Sequence, residues 1–224
     1  AKPKLPYDTF KDFAGVTLAV RFPLVIAAST SVAANDLRGF VELARKSPGK
    51  YSYASTAVGS MNQLVMEDIK RRAGIFVLHV PFGGGGPAVQ AVLGDVANLT
   101  LLSYAALRAQ IAAGKVKALA VSWPQRLDVL PDVPTMAELG FKDMTRTAWL
   151  GLWAVPGHPD AALKRVREEA LKALATPAVR DRLMAVGLNV NTQNPPTPEQ
   201  MVKSLHDDYE SVGAMLKSVN YKPE

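Results

Sequence analysis

Two short segments rich in serine, threonine and glycine could bind an anion without any charged side chain. Residues 55–60, Ser-Thr-Ala-Val-Gly-Ser, offer hydroxyls and backbone N–H groups just before a predicted helix, which Ser60 would cap. Residues 81–87 contain the run from Gly83 to Gly86, whose N–H groups no side chain shields. The first turn of a helix leaves N–H groups unpaired and carries the positive end of the helix dipole. Each segment therefore favours a carboxylate or a phosphate.

Local structure alone also explains either segment, because serine and glycine are common at the starts of helices. A ligand is favoured because the two segments follow successive predicted strands. In open α/β sheets such turns lie at the carboxyl ends of the strands, where ligands bind. We therefore predict that residues 55–60, here called the serine turn, and residues 81–87, the glycine loop, share one anion site.

The sequence offers no constellation of residues for catalysis or metal binding. Of its histidines, His79 ends a predicted strand, His158 lies in a Pro-Gly-His-Pro turn and His206 lies on a polar helix face. For His79 a structural role is favoured over that of a general base. Asp207 and Asp208 would point about 100° apart on a helix and make a poor metal pair. Since hydrolase, zinc-protease and nucleotide-loop motifs are also missing, we predict no catalytic residue, no metal ligand and no cofactor.

Composition excludes further classes of protein. The 224 residues contain no cysteine, so disulfides and thiolate chemistry are excluded. No apolar run reaches the ~18–20 residues of a membrane span. The net charge is +6, but the basic groups Lys70–Arg72 and Lys164–Arg167 lie in helical patterns that also carry acidic residues. Such patterns are typical of solvated helix faces, so we predict no nucleic-acid binding.

Alternating strands and helices must position the two segments. Strands are predicted at residues 16–28, 51–54, 75–80, 96–102 and 116–122, with amphipathic helices between them. This alternation predicts a mostly parallel sheet with helices on both faces. After Trp123, a proline-rich segment leads to the capping box of Thr135 and Glu138. A strand at 145–155 and three helices, beginning near residues 160, 177 and 198, complete the prediction.

Several blocks along the chain resemble one family of proteins, the Bug (TctC-like) solute-binding proteins of tripartite tricarboxylate transport systems. The blocks run over nearly the whole sequence. They are Leu5-Pro6-Tyr7-Asp8 with Lys11-Asp12-Phe13, Ser47-Pro48-Gly49-Lys50 with Tyr53, His79-Val80-Pro81-Phe82 with Gly84-Gly85-Gly86-Pro87-Ala88, Ala113-Gly114-Lys115, Leu130 to Glu138, and Trp149-Leu150-Gly151-Leu152. The last two blocks, in this order, are the most specific.

The resemblance implies an α/β fold like that of type II periplasmic binding proteins, with two lobes joined by crossing strands and the solute between them. The second lobe would span residues 22–118, and residues 1–21 and 119–224 would form the rest of the first lobe with the C-terminal helices. The implied ligand is a small organic carboxylate, and the implied partners are membrane transporter subunits in the periplasm. The implied ligand-binding residues are Phe22, Pro23, Ser55, Thr56, Ala57, Gly59, Ser60, Phe82, Gly83 and Gly84.

The chain departs from the family pattern in several places. We expect that the family's N-terminal segment of very roughly a hundred residues, with its own ligand loop, and a signal peptide are not present in this chain. The first lobe would therefore be incomplete and would expose a sheet edge and an apolar face. Locally, Ala57 replaces a common glycine, Gly83 replaces a common lysine or arginine, and Leu101 or Leu102 replaces a polar residue. We expect weak solute binding or compensation by self-association through the incomplete lobe.

Two alternatives from other classes of protein stay open. The chain could be a sensor or protein-interaction module of the same fold, with weak or no solute binding. It could also be an α/β enzyme that binds phosphate at the glycine loop, although the missing catalytic constellation weighs against that alternative. A panel of carboxylates in a thermal-shift assay separates them, because a ligand that binds the folded state alone raises the melting temperature.

Overall fold

The computed structural model describes residues 5–142, 144 and 147–219. It contains seven α-helices and six β-strands within those residues, and none of these helices is long and apolar enough to cross a membrane. In chain order they are β1 Ala14–Ser29, α1 Leu37–Lys46, β2 Ser52–Ser55, α2 Met61–Ala73, β3 Leu78–Pro81, α3 Gly85–Leu93, β4 Leu99–Ser103, α4 Tyr104–Ala112, β5 Val116–Ser122, β6 Thr147–Ala154, α5 Asp160–Ala175, α6 Pro177–Met184 and α7 Pro198–Ser218.

The strands form one open sheet in the order β3-β2-β4-β1-β5, and β6 also pairs with β1. Strand β2 runs parallel to both β3 and β4, as the alternation of strands and helices predicts. Strand β1, in contrast, is antiparallel to its neighbours β4 and β5. The expectation of a mostly parallel sheet is therefore confirmed with one strand reversed. Strands β1 and β4 are not consecutive in the sequence. No single strand–helix–strand crossover therefore connects them, and such a crossover is what would make them parallel.

By contacts, the chain divides into two compact units. The first consists of residues 23–147 with 218–223, and the second of 2–22 with 148–217, as far as these residues are described. The resemblance predicted a boundary near residue 118 instead. Residues 119–147 join the first unit because the main chain beyond β5 returns to it: Val121 N donates to Pro134 O at 3.0 Å, and Met136 N donates to Val121 O at 2.9 Å. The assignment of lobes stays a prediction.

The core of the first unit surrounds the C-terminal half of β1. Residues Val25 to Ala28 are fully buried, and since successive side chains of a strand point to opposite faces, both faces of β1 are covered there. Helix α1 buries Leu37, Phe40, Val41 and Ala44, which is the apolar face that the 3.6-residue period predicts. Its start is fixed by Asp36, whose carboxylate accepts a hydrogen bond from Gly39 N at 2.7 Å.

The second unit is built on the N-terminal half of β1, on β6 and on helices α5 to α7. Val16, Leu18, Met201 and Met215 are buried there, whereas α5 and α6 contain no buried residue. Gly151 of β6 faces α7 so closely that a Cβ atom would lie 2.3 Å from Met201 Cε. On the other face of β6, large apolar side chains are exposed, namely Leu150 and Leu152. Strand β6 therefore leaves one face exposed, whereas β1 is buried on both faces from Val16 to Leu18.

Two elements differ from the sequence prediction. The strand expected at 75–80 is shorter and later, because Gly74 adopts a left-handed conformation that ends α2 and Ile75 N still bonds to Lys70 O. The capping box forms: Thr135 N donates to Glu138 Oε2 at 2.7 Å, and Glu138 N donates to Thr135 Oγ1 at 3.1 Å. However, it closes a turn rather than starting a helix. Thr145 and Arg146, predicted as the start of a strand, lie outside the described residues.

The capping box yields a titration prediction. A hydrogen bond from Arg126, followed by the one from Thr135 N, lowers the pKa of the Glu138 carboxyl to about 2. Because its pKa is lower in the folded state, the ionised Glu138 carboxylate stabilises the fold. This stabilisation is complete above the unfolded pKa near 4.5 and is lost as the pH falls towards 2. We expect Arg126→Ala to raise the pKa of Glu138 but not to restore 4.5 fully, since Thr135 N remains. Carboxyl-carbon NMR measures this pKa; Glu199 in the same spectra is the control, and an unchanged Glu138 contradicts the prediction.

Candidate functional site

Adjacent parallel strands bring the two predicted segments together. Strand β2 ends at Ser55 and β3 ends at Pro81, and these two residues are partners in the parallel register. The contact continues past the strand ends, because Phe82 N donates to Ser55 O at 2.9 Å. Since both strands end at the same edge of the sheet, the serine turn and the glycine loop lie side by side within the first unit. The structure thus joins two segments that the sequence singled out separately.

The hydroxyls of the serine turn are used to build the turn itself. Ser55 is buried, and its Oγ donates to Ala57 O at 3.0 Å. Thr56 Oγ1 donates to Asn62 Oδ1 at 3.0 Å. Ser60 caps α2, because its side chain accepts a hydrogen bond from Gln63 N at 3.4 Å. A hydroxyl has one proton to donate, so Ser55 and Thr56 in this arrangement have none left for an anion.

Backbone N–H groups remain as the donors of the serine turn. Gly59 N already donates to Gln63 Oε1 at 2.6 Å. The N–H groups of Ala57 and Val58, in contrast, have no acceptor among the residues that the structure describes. They are followed by the unpaired N–H groups of the first turn of α2, which begins at Met61. The turn can therefore bind an anion through its main chain.

The glycine loop presents a second group of main-chain donors. Gly84 has φ +125° and ψ 179° and is the N-cap of α3, where no side chain caps the helix. This conformation is essentially restricted to glycine. A Cβ atom at Gly83, Gly84 or Gly86 would meet no atom within 4 Å, so the space above the loop is open. An anion could approach the N–H groups at the start of α3 without a steric obstacle.

The remaining predicted residues lie elsewhere on the chain. Phe22 and Pro23 are consecutive in β1, where the chain passes from the second unit to the first; Phe22 is half-buried and Pro23 is buried. Their part in a solute site stays a prediction. Leu101 and Leu102 are buried, and Leu101 O accepts a hydrogen bond from Asn62 Nδ2.

Three side chains that support the serine turn are not among the site residues predicted from the sequence. Asn62 and Gln63 lie in the first turn of α2 and bond back to Thr56 and Gly59. His79 Nε2 lies 2.6 Å from Ser55 Oγ. Two amide residues just after a helix cap were a usable signal, because such side chains can return to the preceding turn. The contact of His79 had no signal, since it depends on the pairing of β2 with β3.

The site contains no arrangement that would hold a metal ion. Within residues 5–142, 144 and 147–219, no group of three or more histidine, aspartate and glutamate side chains lies close enough for that purpose. Burial lowers the pKa of His79, while Glu67 and Lys70 act on it in opposite directions. The ring is therefore mostly neutral at neutral pH. The chemistry that the described residues offer is hydrogen-bond donation from the main chain.

Comparison with known proteins assigns this arrangement to a family. A family model described as "Tripartite tricarboxylate transporter family receptor" matches residues 1–221. A UPF0065 protein from the tcbD-tcbE intergenic region of Pseudomonas sp. (strain P51) is 32% identical over 206 residues. That alignment covers 90% of this chain and 60% of the relative. The chain thus spans less than two thirds of that relative's length.

Solved structures show the same fold. A structure described as a periplasmic transporter is 35% identical with a TM-score of 0.92, over 98% of this chain and 72% of that one. MatC from Rhodopseudomonas palustris, solved with bound malate, is 27% identical with a TM-score of 0.85, over 97% of this chain and 73% of MatC. The resemblance and the periplasmic binding-protein fold inferred from the sequence are confirmed.

Proposed function

The chain belongs to the tripartite tricarboxylate transporter receptor family, and from this premise we propose that it binds a small organic carboxylate at the serine turn and the glycine loop. The observation that carries the proposal is the adjacency of the two segments at the ends of β2 and β3. Together they offer main-chain donors at the starts of two helices, α2 and α3. Such groups stabilise a negative charge without a formal cation.

Several observations support a carboxylate rather than a phosphate. MatC was solved with malate, a dicarboxylate, and the family is named for tricarboxylate transport. Lys70 and Glu67, the charged pair nearest to His79, neutralise one another at 2.7 Å. We propose that main-chain donors, and not a charged side chain, bind one carboxylate of the solute. The same observations favour a binding protein without catalytic activity over a phosphate-binding enzyme.

The family also supports a role in transport. We propose that the protein acts in the periplasm and delivers its solute to the membrane subunits of a tripartite tricarboxylate-type transporter. The matched structure that supports this compartment is the one described as a periplasmic transporter. The proposal of delivery is based on the full-length relatives. This chain covers only the shares of their length given above.

A second candidate function rests on the exposed apolar face of the second unit. Leu150 and Leu152 are 57% and 43% exposed on one face of β6, and Val155 just beyond it is 66% exposed. Among the described strands, β6 pairs with β1 alone. An apolar face beside an unpaired strand edge favours association with another polypeptide. We propose self-association of this chain, or a sensor or interaction role, as the alternative if no solute binds.

A thermal-shift panel of mono-, di- and tricarboxylates that includes malate tests the proposed function, with calorimetry for every compound that shifts the melting temperature. A compound at 100 times its Kd should stabilise the folded chain by about 2.7 kcal/mol. Inorganic phosphate and a neutral diol of similar size serve as controls. No shift with any carboxylate, together with a concentration-dependent dimer in sedimentation, would favour the second candidate. A shift with phosphate alone would contradict both.

A further inference from the structure

His79 lies behind the serine turn, and the proposed function leaves its hydrogen bond unexplained. Its Nε2 atom is 2.6 Å from Ser55 Oγ. Its ring stacks on Tyr53, with centroids 4.9 Å apart and an interplanar angle of 27°. Tyr53 is buried in β2, so the ring is fixed between one strand residue and one hydroxyl. The contact therefore joins β3 to the first residue of the turn.

The direction of this hydrogen bond follows from the second bond that Ser55 makes. Ser55 Oγ donates its one proton to Ala57 O at 3.0 Å. The hydroxyl can then only accept from His79, so Nε2 must carry a proton. Two hydrogen bonds in sequence thus connect the imidazole to the hydroxyl and the hydroxyl to the carbonyl of Ala57.

The orientation of the Ala57 carbonyl decides where the next N–H group points. Ala57 O accepts hydrogen bonds from Ser55 Oγ at 3.0 Å and from Ser60 N at 3.3 Å, and both donors belong to the serine turn. The carbonyl therefore faces into the turn. In a trans peptide the C=O and the following N–H point in opposite directions, and the described chain has no cis peptide bond. The N–H of Val58 consequently faces outward.

We propose that His79 is a positioning residue of the carboxylate site, because its Nε2–H holds the Ser55 hydroxyl on Ala57 O and so keeps the Val58 N–H directed at the solute. This inference rests on the proposed function. Ser55 then acts as a support inside the turn, and the solute contacts the main chain beyond it. The side chain of Val58 is 48% exposed, so the turn reaches the surface at this residue.

The charged groups around the ring leave this role intact over a wide pH range. On α2, Glu67 Oε1 accepts from Tyr53 OH at 2.6 Å and from Lys70 Nζ at 2.7 Å, so the pair facing the ring has no net charge. On β2 the ring meets Tyr53, whose pKa is raised by burial and by Glu67. Both the neutral Nε2–H tautomer and the imidazolium donate from Nε2. Positioning therefore survives protonation of His79.

Three substitutions separate positioning from a merely structural role. His79→Phe keeps an aromatic ring on Tyr53 but cannot donate, whereas His79→Gln retains an N–H near the position of Nε2. Ser55→Ala removes the hydroxyl between the ring and the carbonyl. We expect the affinity for malate to fall about 5- to 10-fold in His79→Phe and in Ser55→Ala, the effect of one lost hydrogen bond. His79→Gln should stay within about 3-fold of the wild type, and the Phe/Ala double variant should lose no more than either single variant.

Calorimetry measures the malate affinities, and two further experiments without ligand do not depend on solute binding. Imidazole 15N chemical shifts should identify the Nε2–H tautomer at neutral pH. Amide exchange of Val58 should be fast in the wild type, as expected for an outward N–H, and slower in Ser55→Ala. An Nδ1–H tautomer, or wild-type affinity in His79→Phe, overturns the inference. If the wild type binds no carboxylate, the proposed function fails, and the tautomer and the exchange of Val58 still decide the hydrogen-bond arrangement.

Discussion

Replacement of Gly151 by alanine should destabilise the second unit by about 3 kcal/mol, the upper range for overpacking a filled core. A Cβ atom there would lie 2.3 Å from Met201 Cε and 2.9 Å from Thr17 O. The methionine can move, but Thr17 O belongs to the backbone of β1 and cannot. Strand β6 would have to shift away from β1 or α7. Urea denaturation followed by circular dichroism measures the loss as a lower free energy of unfolding.

Two further variants give this result its control. Gly213 lies inside α7, and a Cβ atom there would meet nothing within 4 Å. Gly213→Ala should therefore stabilise the protein by about 0.5–1 kcal/mol through the helix preference of alanine. Met201→Ala is expected to cost about 2–5 kcal/mol, since Met201 is fully buried. The double variant with Gly151→Ala should lose less free energy of unfolding than the two single losses added together, because the new methyl enters the vacated space. Wild-type stability of Gly151→Ala would contradict the packing described here.

Replacement of Gly84 by alanine should weaken malate binding about 10-fold or more, because hydrogen bonds to a charged group contribute about 1.5–3 kcal/mol each. Gly84 has φ +125°, so an alanine there is strained by about 1–3 kcal/mol or forces the loop into another conformation. Either response turns the N–H groups at the start of α3 away from their present direction. Calorimetry with malate gives the affinity, and urea denaturation gives the cost in stability.

Gly140 supplies the matched control for that substitution. It lies in the first unit, has φ +98°, and its Cβ position is also free of atoms within 4 Å. Gly140→Ala should therefore cost a similar amount of stability while leaving malate affinity near that of the wild type, because it is outside the serine turn and the glycine loop. Equal losses of affinity in the two variants would mean that strain alone, and not the direction of the loop, explains the effect.

Local patterns predicted much of the fold. Strand β5 and helix α5 have the bounds that alternation and capping indicate, and α1 buries the predicted face. These features depend on residues within one turn or one strand, where the sequence carries the whole signal. The reversal of β1 is defined by its pairing with β4 and β5, which are distant in sequence, so no local pattern indicates it. The sequence indicates Gly74 as the end of α2, but Ile75 N still bonds to Lys70 O, so the apolar residues that follow do not join β3 until Leu78.

The adjacency of the serine turn and the glycine loop was predictable from the sequence, but their hydrogen bonds were not. The serine and glycine content alone indicated residues 55–60 and 81–87. The use of each hydroxyl depends on partners in other elements, since Thr56 bonds to Asn62 of α2 and Ser55 is reached by His79 of β3. Sequence reasoning treated these hydroxyls as ligand donors, because it could not see that both protons are already committed. The block that contains Gly151 resembles the family in sequence. In the structure, this glycine is required by the close packing of Met201 and of the backbone of β1 against β6.

The proposed main-chain recognition has a consequence for how such a protein can change over evolution. Every amino acid except proline carries the same N–H group, so substitutions at Ala57 or Val58 leave the donors of the serine turn in place. The exposed side chains of Val58 and Met61 can then vary, and with them the shape of solute that fits. Different atoms therefore hold the negative charge and select the solute. The main-chain N–H groups hold the charge, and the side chains set the shape that fits. New solutes can be acquired at this wall of the site without first losing the ability to hold a carboxylate.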